Sequence, residues 1–191
     1  MKRNFTRLMI FFMLLMPLTY VAAATETYTL DPQHSYVLWH VDHFGFSKPS
    51  GKWFANGTLI LDPAKPQNSK ANMTVKVANV ITGIPELDDH LNGKLFFDTA
   101  QFPTATFISN KINVTGKKTA KVQGILTVRG ISKPITLNVT LNKIAENPIT
   151  NKITAGFDAT TEIKRSDFGI TTLLPGLSDN VKINIEVEAS K

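Results

Sequence analysis

Several groups of residues in this sequence have types and spacings that invite chemistry. His40, Asp42 and His43 offer imidazole and carboxylate donors in one short run, the ligand types of a divalent metal. On an extended strand, residues three apart point to opposite faces, so His40 and His43 cannot share an ion without a bulge. Asp42 and His40 do share a face, and a hydrogen bond between them is the simpler expectation; no metal site is assigned. Asp31, His34 and Ser35 carry the letters of a hydrolytic triad. They lack the glycines of a nucleophile elbow, and Asp31-Pro32 reads as a turn opening a strand. Asp88, Asp89 and His90 resemble an acid–base set, yet carboxylates early in a helix are favoured by its dipole. Arg165 and Asp167 follow a strand end. A local ion pair is favoured there over a rim contact between Arg165 and an acidic head group.

What remains is apolar. Phe96-Phe97 and Phe168-Gly169-Ile170, with Leu173-Leu174-Pro175, sit in irregular stretches where a greasy ligand would enter a barrel. Other aromatics read mainly as core.

The elements that position these residues are strands. Val181 to Ala189 is apolar at every odd position, and Lys152 to Ile163 and Ile135 to Leu141 alternate likewise. A period of two marks strands with one face on a core. Strands are expected near 26–30, 35–43, 52–61, 71–80, 104–114, 119–129, 134–144, 152–164 and 180–189. Turns fall at Asp62-Pro63, Thr115 to Lys118, Ser132-Lys133-Pro134 and Glu146-Asn147-Pro148. Pro85, the acids after it and Gly93 frame a short helix over about 84–92, with Leu87 and Leu91 on one face. In 35–43, Val37, Trp39 and Val41 face one way and Tyr36 and Leu38 the other. Strands apolar on both faces favour a barrel of about eight strands over a sandwich.

The first 24 residues read as an export signal. Lys2, Arg3 and Arg7 precede an apolar run from Leu8 to Leu18, and Ala22-Ala23-Ala24 is a small-residue cleavage site. The run is shorter than the ~20 residues of a membrane span. Residues 25–191 then form one domain. The chain holds no cysteine, which removes disulfides, thiol catalysis and thiolate metal sites together. Its formal charge of +6 falls to +3 without the signal. The lysines are scattered, with no basic stripe interleaved with aromatics, so no nucleic-acid partner is expected.

Ordered motifs carry a resemblance. Asp31-Pro32-x-His34-Ser35 precedes Val41-x-His43-x-Gly45-x-Ser47. Then come His90-Leu91, Phe96-Phe97-Asp98 and Phe102-Pro103-x-Ala105-x-Phe107. Gly124-x-Leu126-Thr127-Val128-Arg129-Gly130 with Lys133-Pro134, and Arg165-x-Asp167-Phe168-Gly169-Ile170, complete the series. Together, over Tyr28 to Glu188, the chain resembles the YceI-like, polyisoprenoid-binding proteins. The resemblance implies an extended, lipocalin-like antiparallel eight-stranded β-barrel with a short covering helix. It further implies an apolar tunnel for a polyisoprenoid or fatty-acyl chain, export to the periplasm, and often a homodimer.

The residues and the resemblance lead to one expectation: an all-β, non-enzymatic carrier of an amphiphilic long-chain lipid. Its expected ligand-binding residues are Trp39, Val41, His43, Leu91, Phe96, Phe97, Phe107, Phe157, Arg165, Phe168, Leu173 and Leu174. No metal and no cofactor beyond the bound lipid are expected, and transport would bring the mouth into transient contact with a membrane. The rival readings are an exported enzyme using His34, His43 or His90 with a carboxylate, and a β-sandwich module with a filled interior.

Overall fold

The computed structural model describes residues 25–191; the expected signal lies outside them. Nine strands form one antiparallel sheet: β1 Glu26–Leu30, β2 Tyr36–His43, β3 Ser50–Leu61, β4 Lys70–Lys76, β5 Thr104–Val114, β6 Thr119–Val128, β7 Ile131–Glu146, β8 Ile153–Lys164 and β9 Leu177–Ser190. Among the described residues one α-helix, α1, spans Pro85–Asn92. Sequential strands pair from β2 through β9, and β9 returns to β2 and β1, so the sheet closes on itself. Closure removes the free edges that an open sheet would present.

The nine strands and the expected eight-stranded barrel reconcile at a break. Both β1 and β2 pair with β3 on one side and β9 on the other, so they form a single interrupted stave. Thr29 faces Thr58 and Tyr36 faces Phe54, so this stave uses three more residues than β3 over the same length. Pro32 has no N–H for a ladder. The surplus bulges outward as Asp31 to His34, held by the Gln33 N–H donating to Asp31 Oδ1 at 2.9 Å. Ser35 then re-enters the wall fully buried, and its hydroxyl donates to the Glu188 carbonyl at 2.9 Å.

Two boundaries differ from expectation. Ser132-Lys133-Pro134 is not a turn: the β6–β7 connection is Arg129-Gly130, with φ of 50° and 71°, as a two-residue hairpin requires. Pro134 sits inside β7, which pairs with β8 only from Asn138 onward, so the missing N–H breaks no ladder there. The expected strand to residue 80 ends at Lys76. A 3-10 turn over Val77–Asn79 then bends the chain towards α1.

Inward-facing residues divide into two apolar clusters. At one end of the barrel Tyr28, Leu30, Leu59, Val122, Ala155 and Val187 fill the lumen. At the other end Trp39, Val41, Trp53, Val77, Leu91 and Phe96 surround open space. The open end carries the loops after β2, β4, β6 and β8, and with them α1.

Candidate lipid cavity

The open end leads into a cavity of about 570 Å³. Alternation builds its walls: Val37, Trp39, Val41 and His43 descend one face of β2, and Val181, Ile183 and Ile185 one face of β9. Leu87 and Leu91 of α1 cover it from above. Asp88 anchors that helix by accepting the Thr82 N–H at 2.9 Å and the Thr82 hydroxyl at 2.6 Å. This carboxylate is therefore structural, as its place in the first turn implies.

Ten of the expected residues line the cavity. Trp39, Val41 and His43 do so from β2, Leu91 from α1, and Phe96 and Phe97 from the segment after it. Phe107 lines the floor, and Arg165, Phe168 and Leu173 the wall formed by the β8–β9 loop. Phe157 and Leu174 do not line it. Phe157 shares the inward face of β8 but packs against the filled end, where Ala155 and Val187 leave no space. Leu174 is half-buried within its loop, whereas Leu173 turns to the cavity with a left-handed φ of 62°.

Arg165 has neither of the roles weighed for it. The residue is 6% exposed, and its guanidinium donates from Nε to the Ser178 carbonyl (2.8 Å), from Nη1 to the Ile170 carbonyl (3.1 Å) and from Nη2 to the Leu177 carbonyl (2.8 Å). Burial pulls its pKa below the usual guanidinium value, with Asp179 opposing. All of its edges are engaged in closing the β8–β9 loop, and Asp167 is not its partner. The expected His40–Asp42 bond is also absent; Asp42 accepts the Gly45 N–H at 2.8 Å and shapes the β2–β3 hairpin.

The remaining polar lining consists of the hydroxyls of Ser47, Thr74, Thr106 and Thr161, two indoles and two imidazoles. His43 and His90 stand at the mouth, edge-on or tilted against Phe44 and Phe96 at centroid distances of 4.8 and 4.9 Å. Neither imidazole bonds a carboxylate among the described residues. Trp39 Nε1 is buried without a hydrogen-bond partner among the described residues, while Trp53 Nε1 donates to the Val77 carbonyl at 2.8 Å. Ile170, in the apolar stretch singled out after Phe168, lines the cavity as well, and Trp53, Met73 and Val75 also line it without having been among the expected site residues. The alternation of β9 pointed to Ile183 and Ile185, and in β4 Ala71, Met73 and Val75 alternate with Asn72 and Thr74 in the same way, a signal that places Met73 and Val75 on one face.

The family model for the YceI-like domain matches residues 28–189. The chain belongs to the YceI-like family. A UPF0312 protein of Pseudomonas fluorescens is 37% identical over 174 residues, spanning 90% of this chain and 88% of that protein. The crystal structure of Burkholderia cenocepacia BcnA superposes with a TM-score of 0.76 at 28% identity, covering 83% of this YceI-like chain and 98% of BcnA. A polyisoprenoid-binding domain from Saccharophagus degradans, implicated in plant cell wall breakdown, shares the fold at a TM-score of 0.66 and 16% identity, covering 85% and 97%. The YceI-like barrel thus replaces the sandwich reading.

Proposed function

We propose that this YceI-like protein is exported to the periplasm and there binds and carries an amphiphilic long-chain lipid of polyisoprenoid or fatty-acyl type, without transforming it. The observation that carries this reading is the apolar cavity, open at one end of an otherwise filled barrel. Each methylene moved from water into such a space contributes about 0.8 kcal/mol, so a few isoprene units suffice for tight binding without a charged anchor. The engagement of Arg165 with backbone carbonyls supports an uncharged buried portion. The binding named for the Saccharophagus domain supports the ligand class, and the basic head and apolar run of the first 24 residues support export. Native mass spectrometry of the protein purified from the periplasm, followed by organic extraction, tests the reading. A stoichiometric hydrophobic adduct on a homodimer is expected. An apo mass that persists after adding polyprenols and fatty acids would overturn it.

The rim supports a loading step at a lipid surface. Phe46 is 91% exposed, Leu95 61% and Leu173 54%, all on open-end loops, with Lys48 and Lys94 exposed beside them. The loops are tied together by the Thr172 hydroxyl donating to the Leu95 carbonyl at 2.8 Å. Apolar tips flanked by lysines suit an anionic bilayer surface. Burying one Phe contributes about 2 kcal/mol, so Phe46→Ser is expected to weaken binding to anionic vesicles roughly thirtyfold. Sedimentation with vesicles of phosphatidylglycerol reads this out; unchanged partitioning would remove the rim from the mechanism.

A further inference from the structure

The outward bulge between β1 and β2 has no part in the cavity, yet it brings three metal-ligating side chains together. Asp31 and His34 lie on the bulge, and Glu188 lies on β9 beneath it. One ligand atom from each falls within 4.8 Å of the others. His34 Nδ1 and Asp31 Oδ2 are already 2.7 Å apart. We propose that Asp31, His34 and Glu188 form a binding site for a first-row divalent transition-metal ion on the outer wall of the barrel.

The donor set suits such an ion. One imidazole nitrogen and two carboxylate oxygens, completed by water, match Zn²⁺ and its neighbours; the imidazole disfavours Mg²⁺ and Ca²⁺, which take oxygen. An ion at about 2.0–2.2 Å from each ligand replaces the proton shared by Asp31 and His34. The Asp31–His34 pair must then part slightly to admit the ion and the Glu188 carboxylate must close in, which its side chain is free to do. Among the described residues that carboxylate accepts no hydrogen bond and joins no ion pair.

The backbone around it is held on several sides. The Ser35 hydroxyl donates to the Glu188 carbonyl and accepts the Glu188 N–H at 3.2 Å, and the Asp31 N–H donates to the same carbonyl at 2.8 Å. Glu188 faces Gly156 across the β8–β9 ladder, so no cross-strand side chain crowds it. His34 and Glu188 also border a groove of about 480 Å³ that admits solvent and ions. Its other charged walls are Glu146, Glu186 and Lys143, a net negative surround on a chain of positive net charge. Asp158, opposite Glu186, adds a further carboxylate close by. A bound ion would clamp the bulge to β9 at the one place where the stave is interrupted.

The test is a zinc titration of the full chain, expressed without a histidine tag, processed by its own host and stripped with a chelator. Competition against a chromophoric chelator should show one Zn²⁺ per chain with micromolar affinity, undiminished by millimolar Mg²⁺. His34→Gln and Glu188→Gln should each weaken it roughly tenfold or more, since even outer ligands of metal sites are worth that much. His40→Gln, a histidine elsewhere on the wall, should bind as the parent does. His34 is exposed and the fold contacts of Glu188 are through its backbone, so both variants should keep the parental circular dichroism. Absence of binding, or loss in His34→Gln with none in Glu188→Gln, would overturn the site; the latter marks a lone surface histidine.

Discussion

Ala105→Trp is expected to abolish lipid loading while leaving the barrel folded. Ala105 lies on β5 opposite Val75, and both side chains border the cavity near its covered end. An indole there grows into open space, so the overpacking cost of a filled core is largely avoided. The volume it takes is volume the lipid tail loses. Displacing one isoprene unit, five carbons, forfeits about 4 kcal/mol, on the order of a thousandfold in Kd. Ile108→Trp serves as the control, because Ile108 is 53% exposed on the outer face of the same strand. Lipid extracted per mole of protein, together with a polyprenol titration, gives the answer. A folded Ala105→Trp protein that retains the parental lipid load would mean the tail lies elsewhere.

Arg165→Lys is expected to cost stability and ligand retention together. Three backbone carbonyls at Ser178, Ile170 and Leu177 receive the guanidinium, and an ammonium cannot span them. Hydrogen bonds to a charged group are worth about 1.5–3 kcal/mol each, and breaking a buried charged network costs about 3–5 kcal/mol. A loss of about 4 kcal/mol in urea unfolding is the expected result. The segment closed by Arg165 also carries Phe168, Ile170 and Leu173 into the cavity wall, so lipid should dissociate faster. Asp167→Asn, at an exposed neighbour, should stay within about 0.5 kcal/mol of the parent. An Arg165→Lys midpoint equal to the parent's would show that the loop closes without the fork.

Much of the architecture was legible because a strand buried on one face writes its geometry into alternate residues. Each of the nine expected strands corresponds to an observed one, and α1 starts at the proline and stops before the glycine that framed it. The failures lie where a local signal depended on a distant neighbour. Pro134 is a turn residue by composition, but it is tolerated in β7 because β8 begins to pair only four residues later. Asp42 shares a face with His40 as alternation requires, yet the Gly45 N–H of the hairpin reaches it instead.

The same division runs through the site. By itself the sequence determined which residues share a face, since a period of two follows from the pleat alone. It thereby grouped Val37, Trp39 and Val41, and later Ile183 and Ile185. Closure of the sheet decided that this face is the inner one and where the lumen is filled. Phe107 and Phe157 read alike in sequence; one lines the cavity, while the other packs where Ala155 and Val187 close the barrel. Tertiary structure also chose the partners of Arg165 and brought Glu188 beneath His34, more than 150 residues away in the chain. Such contacts depend on which strands become neighbours when the ring closes, a property of the whole sheet that no single strand carries.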